Sequence, residues 1–531
     1  MAFDRIKFNK SAARALVLVG AGMLPMSVLA DEVTLKSADG TVNLVGEFIE
    51  FADDNYVIRT GLGDLRIAAS RVRCEGDACP TFDTASADVQ IAGSDTVGLG
   101  MMPLLISGYA SFLDAEASIV TTEKQGEILA NFIGDGGFGD EMGSYLVTST
   151  SSGDAFKTLL DGSAQIGMAS RRIKPAEARE LRDIGAGNMV SPSQEHIIAV
   201  DSLVVITHPA NPVQELTMAQ LAEIYAGNIT NWSEVGGDDG EIVMITRQDG
   251  SGTRSVFEGR VFGDADPTLA ASAKIAVDNN EMAAMVNDDV NAVGFVGYAF
   301  QRGAKALSLV NECGISMTPD AFSAKTEEYA LQRRLYLYNR ADNLDAATAE
   351  FINYAVSDEA DGVIAKSGFI DLGIKAREQN LDGDRARMLL DPSVDAYEGG
   401  VMREMLSQMV DHDRLSTTFR FRTGSSKLDE RGLVDMARLT DYLEGMPEGT
   451  KVTFVGFTDS VGAFESNRSL SIGRAEQVVA ELASFGGDRL AGIEFASAGY
   501  GEIAPSACNT AEDGRAINRR VEVWIQESDR T

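Results

Sequence analysis

The sequence predicts a multidomain α/β protein, and three observations carry that expectation. The chain has 531 residues, more than one hydrophobic core organises, so roughly two to four domains are expected. Strand-like and helix-like segments alternate through residues 88–372 and again through 415–528, the pattern of α/β units. Residues 31–80 instead alternate apolar and polar, as short strands with one buried face do. With 44% hydrophobic and 24% charged residues, the composition is that of a globular protein.

Taken in order, the chain opens with Arg5, Lys7, Lys10 and Arg14 ahead of the apolar run "ALVLVGAGMLPMSVLA". Val28-Leu29-Ala30 then supplies a small-residue cleavage pattern, so residues 1–30 read as a signal peptide for export. No later segment has about 18 uninterrupted apolar residues, so no membrane span is expected in the mature chain. Residues 31–80 read as a small β module of three to four strands, "TVNLVGEFIEF", "NYVIRT" and "DLRIAASRVRC", separated by turns. Residues 81–88 read as a linker.

In the 88–372 region, "VQIAGS", "AQIGMAS", "SLVVITH" and "EIVMITR" read as buried strands. "GMMPLLISGYASFL", "FKTLLDGS" and "TMAQLAEIYAG" read as helices, the last ended by Gly227. Residues 373–414 read as a helical connector, with "EGGVMREMLSQMVDHDR" its clearest helix. In 415–528 the order is strand, helix, strand, helix, strand and a last strand "RRVEVWI".

The formal net charge is −34. That disfavours nucleic acid and anionic membrane as partners, and an anion is held only where the chain is locally positive. Cys74 and Cys79, in "CEGDACP", bound a tight loop that one disulfide could close. Cys313 and Cys508 fall in different domains, and sequence alone does not pair them. There is no C-x-x-C, and only His196, His208 and His412, so no zinc-type metal site is expected. No cofactor is expected. A nucleotide site lacks its G-x-x-x-x-G-K-[ST] loop, and a hydrolase lacks G-x-S-x-G and a His beside a candidate Ser.

Three stretches place Ser, Thr or Gly at a predicted helix start: "GSDTVG" (93–98), "STSSGDAF" (149–156) and "DGSGTRSVF" (249–257). Helix N-termini offer unpaired N–H groups and partial positive charge, which suits an anion. Ordinary N-caps use the same residues. Arg247, at the end of a buried strand, tips the balance toward an anion site. Asp249 fits an anion that carries a proton, since a carboxylate facing a deprotonated oxyanion leaves both acceptors unpaired. It also fits a salt bridge to Arg247 or a turn.

"RQDGSGT", with "NPVQELTMAQLAEIYAGNITNWSEVGG" upstream, resembles the periplasmic phosphate-binding proteins of ABC transporters, over about 88–372. The resemblance implies a two-lobed periplasmic-binding-protein fold that closes on phosphate or a related oxyanion, with an ABC permease as partner. It implies contacts from Thr96 and the Val97 backbone, from Ser151, and from Arg247, Asp249, Ser251, Gly252 and Thr253. Where the best-known members have an Asp after the second strand, this chain has "MASRRIK", which puts Arg171 or Arg172 there. Arg171 would add a donor and leave Asp249 as the one carboxylate reading the ligand proton.

The C-terminal region contains "GFTDSVGAFESNRSLSIGRAEQVVAEL" and "GRAINRRVEVWI". It resembles the OmpA-like peptidoglycan-binding domain over about 415–528, an α/β sandwich. Asn467 and Arg474 are seven residues apart and share a helix face. The free end of a diaminopimelate stem peptide is zwitterionic. Asp459 suits its ammonium and Arg474 its carboxylate, roles the resemblance also assigns; a structural Asp–Arg pair is the alternative. Of Arg519 and Arg520, one is expected to support Asp459 and the other to face solvent. Phe457 stands where many members have His.

The sequence therefore describes a non-enzymatic protein of a Gram-negative periplasm, attached to peptidoglycan at the cell wall and outer membrane, that binds phosphate. The alternative is a wall-anchored structural or sensory protein whose middle domain binds another ligand or a protein.

Overall fold

The computed structural model describes residues 32–36, 43–52, 55–76, 78–80, 87–263, 268–379, 381, 383–390, 394–421 and 430–526. The signal-peptide expectation lies outside the described residues, as does most of the predicted linker. The chain divides into two compact units at residues 81/82. No helix among the described residues is long and apolar enough to cross a membrane.

The first unit is an antiparallel sheet of five strands among the described residues, where three to four were expected. The added strand, Arg73–Glu75, pairs with the first strand, Glu32–Lys36. Val33, Leu35, Tyr56 and Ile58 form its small core. Cys74 and Cys79 are disulfide-bonded.

The second unit starts with a mixed sheet of eleven strands that runs through two lobes. In the first lobe, Val89–Ser94 lies parallel to both Glu141–Thr150 and Ile166–Ala169. In the second, Val243–Arg247 lies parallel to Ala292–Gly297 and Lys274–Ala276. Strands buried on both faces read as continuous apolar runs, and "SLVVITH" is such a run. It is the second half of one long strand, Glu195–Thr207. The first half of that strand pairs with Gln332–Asn339, and the second half pairs with Ala292–Gly297. This strand therefore crosses from one lobe to the other. The second-lobe core includes Phe257 and Phe295, stacked at 3.8 Å between ring centres.

The C-terminal domain is a five-stranded sheet covered by Glu430–Glu444 and Phe464–Gly486. The stretch read as a connector contributes to it. Ala376–Glu378 pairs with Asp413–Arg420 at one edge, and Met402, Met405 and Met409 of helix Ala396–Asp411 pack with Phe457, Tyr500 and Trp524. Those methionines fall on one helical face, spaced three and four apart.

This domain is tied to both lobes. Cys313, on a second-lobe hairpin, is disulfide-bonded to Cys508, a pair that sequence separation had hidden. Arg414 grips Glu328 with two nitrogens, at 2.8 and 3.2 Å. On the first-lobe side, Arg438 donates to Asp361 at 2.7 Å and to the carbonyl of Val356. The junction adjoins a buried charge cluster, in which Glu522 accepts from Arg385, Arg520 and Trp524 and pairs with Arg414. Burial pushes the Glu328 carboxyl up, but Arg414, with help from Arg520, outweighs it and holds the group at about 2. Arg520 corrects the expectation that it faces solvent: it is fully buried on a central strand. Glu522 lies two residues on, on the same strand face, and the Phe457 ring lies 4.1 Å from the guanidinium.

Candidate functional site

Two helices from opposite lobes point their N-termini at one another. Ser152–Asp161 follows the second loop and Gly252–Val261 the third. The Gly153 amide donates to the Gly250 carbonyl at 3.3 Å. A Cβ at Gly252 would lie 2.2 Å from the Ser152 hydroxyl and 2.4 Å from that of Ser170, so only glycine allows this approach. Two positive helix ends brought together repel unless negative charge lies between or beside them.

The hydroxyls around this point divide into two kinds. Ser151 and Ser251 cap their own helices, accepting from the amides of Asp154 and Arg254, the ordinary role at that position. Thr96 and Thr253 do not cap. They are fully buried and meet across the lobes at 3.2 Å. Val97 is buried behind Thr96.

Arg247 ends its strand as expected and is fully buried. Its partner corrects the sequence expectation. Nη2 donates to Asp95 at 2.9 Å and to the Val277 carbonyl, and Nε donates to the Ala276 carbonyl. Nη1 is buried without a partner among the described residues, as is the Ser94 hydroxyl. Asp249 points away, with its side chain 95% exposed and bonded to Arg254 at 2.6 Å. The reason is competition. Asp95 already occupies the face of Arg247, and Arg254, on the first turn of the helix, offers Asp249 a cation in solvent. Burial pushes the Asp95 carboxyl up from its usual range, and Arg247 only partly pulls it back.

Arg171 also departs from expectation. It forms a two-nitrogen bridge to Glu177, at 2.6 and 2.8 Å, with its guanidinium 5.1 Å from the Phe156 ring centre. Glu177 sits in the first turn of helix Pro175–Asp183 and also accepts from the Lys174 amide, so Arg171 is already paired with a positioned carboxylate. Asp95, Asn279, Asp201 and Arg333 were not singled out from the sequence. Asp95 was visible within "GSDTVG", beside Thr96. The other three lie far from the loops in sequence and carry no local motif.

The second candidate site is in the C-terminal domain. Asp459 follows strand Lys451–Gly456 and is bonded to Arg519 at 2.8 Å. Arg519 also holds Glu512. Asn467 donates to the Asp459 carbonyl and to Glu502. Arg474 is buried on the same helix as Asn467, 5.3 Å from the Phe421 ring centre, and its Nε and Nη1 have no partner among the described residues. Burial first, and then Arg519, lower its pKa from the ordinary arginine value, while Asp459 offsets part of this. The loop after Asp459 is fixed from outside: the Ser460 amide donates to Asn509, next to the disulfide-bonded Cys508. Among the described residues no group of three His, Cys, Asp or Glu side chains is arranged to hold a metal ion.

Comparison with known proteins gives the following. Residues 84–359 match the model of the PBP superfamily domain, and residues 420–519 match that of the OmpA family. The chain is 25% identical over 225 residues to the phosphate-binding protein PstS of Bacillus subtilis (strain 168), covering 42% of this chain and 70% of that protein. It is 26% identical over 253 residues to PstS of Pseudomonas aeruginosa PAO1, covering 44% and 76%. A solved ABC-type phosphate transport receptor from Vibrio cholerae aligns with 27% identity and a TM-score of 0.39, covering 53% of this chain and 99% of that one. The matched families and relatives indicate no enzymatic family.

Proposed function

Since the chain belongs to the PBP superfamily and carries an OmpA-family domain after it, we propose that it binds phosphate between its two lobes and attaches noncovalently to peptidoglycan through its C-terminal domain. The observation that carries the first half is the pair of facing helix N-termini at Gly153 and Gly250 together with the buried Arg247, which is bonded to Asp95 of the first loop and has one nitrogen without a partner among the described residues. Such a point favours an anion. Asp95, buried in the first loop and held as an acceptor by Arg247, is the group that reads the ligand's proton. Hydrogen phosphate carries such a proton near neutral pH and sulfate does not, so a carboxylate here selects between them. This assigns to Asp95 the role the sequence suggested for Asp249.

The second half rests on Arg474, whose buried nitrogens suit a carboxylate such as the free end of a diaminopimelate stem peptide. Asp459, beside Arg519, suits the ammonium. On this reading the protein works in the periplasm of a Gram-negative cell, at the wall and outer membrane. The test is calorimetric titration of the mature protein with phosphate, sulfate and arsenate, together with co-sedimentation on diaminopimelate-type sacculi. Phosphate and arsenate are expected to bind and sulfate not to bind. Absence of phosphate binding overturns the first half, and absence from the sacculus pellet overturns the second.

A second reading of the same binding event is favoured by the junction. The C-terminal domain is bonded to the second lobe by a disulfide and to the first by Arg438. A binder fixed to the wall through both lobes is suited to retain or sense the anion in place, while a carrier to an ABC permease must diffuse. Phosphate uptake in cells that lack this chain separates the two: unchanged uptake favours retention or sensing.

A further inference from the structure

Behind Thr96 and Thr253 lies a second layer of charged and amide groups that the anion contacts do not include. Arg333, on strand Gln332–Asn339 beside the crossing strand, is buried. Its Nε and Nη2 donate to Asp201 Oδ2 at 2.9 and 2.7 Å, and its Nη1 donates to the Thr253 hydroxyl at 2.8 Å. On the other side, Asn279 Nδ2 donates to the Thr96 hydroxyl at 3.0 Å. The Asn279 amide has one orientation, because its Oδ1 accepts from the Gly297 amide. The next amide, that of Tyr298, donates to Asp201 Oδ1 at 3.0 Å. One dipeptide thus anchors both outer groups. A Cβ at Gly297 would lie 2.7 Å from Asp201 Oδ2, so glycine is required for that approach.

A hydroxyl has one proton and two acceptor positions. Arg333 and Asn279 carry only donors toward these two oxygens, so each threonine accepts from behind. With one acceptor position filled from behind, its own proton turns to the forward side, to its neighbour or to a ligand, and while the two hydroxyls bond each other at 3.2 Å one of the two protons remains for a ligand. We infer that Arg333 and Asn279 are positioning residues that fix Thr253 and Thr96 as hydrogen-bond donors, and that the site thereby selects oxyanions presenting unprotonated oxygens at this end. The ligand's proton is left to the Asp95 end. This rests on the phosphate reading above and extends it: selection has an accepting end at Asp95 and a donating end at the threonine pair.

The test is a double-mutant cycle in the full mature chain, with inorganic phosphate as the probe in calorimetry and thermal melting as the control. Arg333→Lys keeps a cation beside Asp201 but cannot reach both Asp201 and Thr253. It is expected to weaken phosphate binding by about tenfold or more, the scale of one charge-assisted hydrogen bond, with little change in melting temperature. Thr253→Val is expected to cost a similar factor. The double variant is expected to bind no more weakly than Thr253→Val alone, because Arg333 acts through that hydroxyl. If Arg333→Lys fails to fold, Asp201→Leu with Arg333→Met removes the buried pair together, a change such cores tolerate, and the same cycle is run on that background. Full affinity in the Arg333 variant, or losses that multiply in the double variant, overturns the inference. No phosphate binding by the unmodified protein overturns the phosphate reading instead.

Discussion

Both candidate sites pair an arginine with an aspartate, but the pairs are used differently. In the two-lobed domain, Arg247 bonds Asp95 directly and leaves one nitrogen over. In the C-terminal domain, Asp459 is taken by a third group, Arg519, and Arg474 keeps two buried nitrogens without partners among the described residues. The first arrangement offers a largely neutralised pocket with a carboxylate inside, which suits an anion that still carries a proton. The second offers a cation with a nearby ion pair, which suits a fully ionised carboxylate. Cation and carboxylate in one site do not by themselves define a ligand; what each is already bonded to does.

The largest expected effect breaks the first site. Arg247→Ala leaves Asp95 buried without its cation and removes the unpaired nitrogen. Phosphate affinity is expected to fall by roughly 2–5 kcal/mol, the range for stranding one partner of a buried charge pair. Calorimetry on the full mature chain checks it, and full affinity would remove Arg247 from the site. Wall attachment is expected to be unchanged in that variant.

Next in size is the loss at the other site. Arg474→Ala removes one charge-assisted contact, worth about 1.5–3 kcal/mol, and is expected to abolish co-sedimentation with sacculi while phosphate binding survives. Retention of Arg474→Ala in the pellet would leave the pair Asp459–Arg519 as the binding element and make Arg474 a packing residue on Phe421.

Much of this contrast was legible in the sequence. The three loops, the strand ending at Arg247 and the helix sharing Asn467 and Arg474 follow from apolar periodicity and spacing, which are local. What was not legible was the choice of partner. Asp95 and Asp249 both lie in loops that lead into helices, and only the fold brings Asp95 to Arg247 across 152 positions. Arg171 looked like a ligand because its partner Glu177 also had to be placed by the fold. The pairing of Cys313 with Cys508, and the strand Ala376–Glu378 inside a supposed connector, failed for the same reason: both depend on which surfaces dock.

Acid sharpens the comparison by acting on what joins the two regions. Glu328 is held at about 2 by Arg414, with help from Arg520, against burial that pushes it up, and Glu522 is likewise held well below the usual glutamate range by Arg385, Arg414 and Arg520. A carboxylate lowered in the folded state releases its proton more readily there than in the unfolded chain. Its stabilising contribution is therefore complete above the unfolded value, about 4.5, and is lost as pH falls toward the folded one. The melting temperature is expected to be flat for these groups between pH 7 and 5 and to drop as pH falls from about 4.5 toward 2. Glu328→Gln is expected to flatten that drop. An unchanged acid profile in the variant would mean the junction does not depend on this pair.

The smallest effect is the most discriminating, because it separates two aspartates that the sequence presents alike. Asp249 is 95% exposed, and its bridge to Arg254 is a surface ion pair, of a kind worth about 0–1 kcal/mol. Asp249→Asn is expected to leave both phosphate affinity and the exclusion of sulfate nearly unchanged. Asp95→Asn keeps the shape but replaces an acceptor oxygen by a donor nitrogen. That donor can meet a deprotonated ligand oxygen, so sulfate is expected to gain and phosphate to lose, and the preference between them to narrow. Titration of both variants with both anions reads this directly. If selectivity moves with Asp249 and not with Asp95, the ligand draws Asp249 inward, and the proton is read from the third loop rather than from the first.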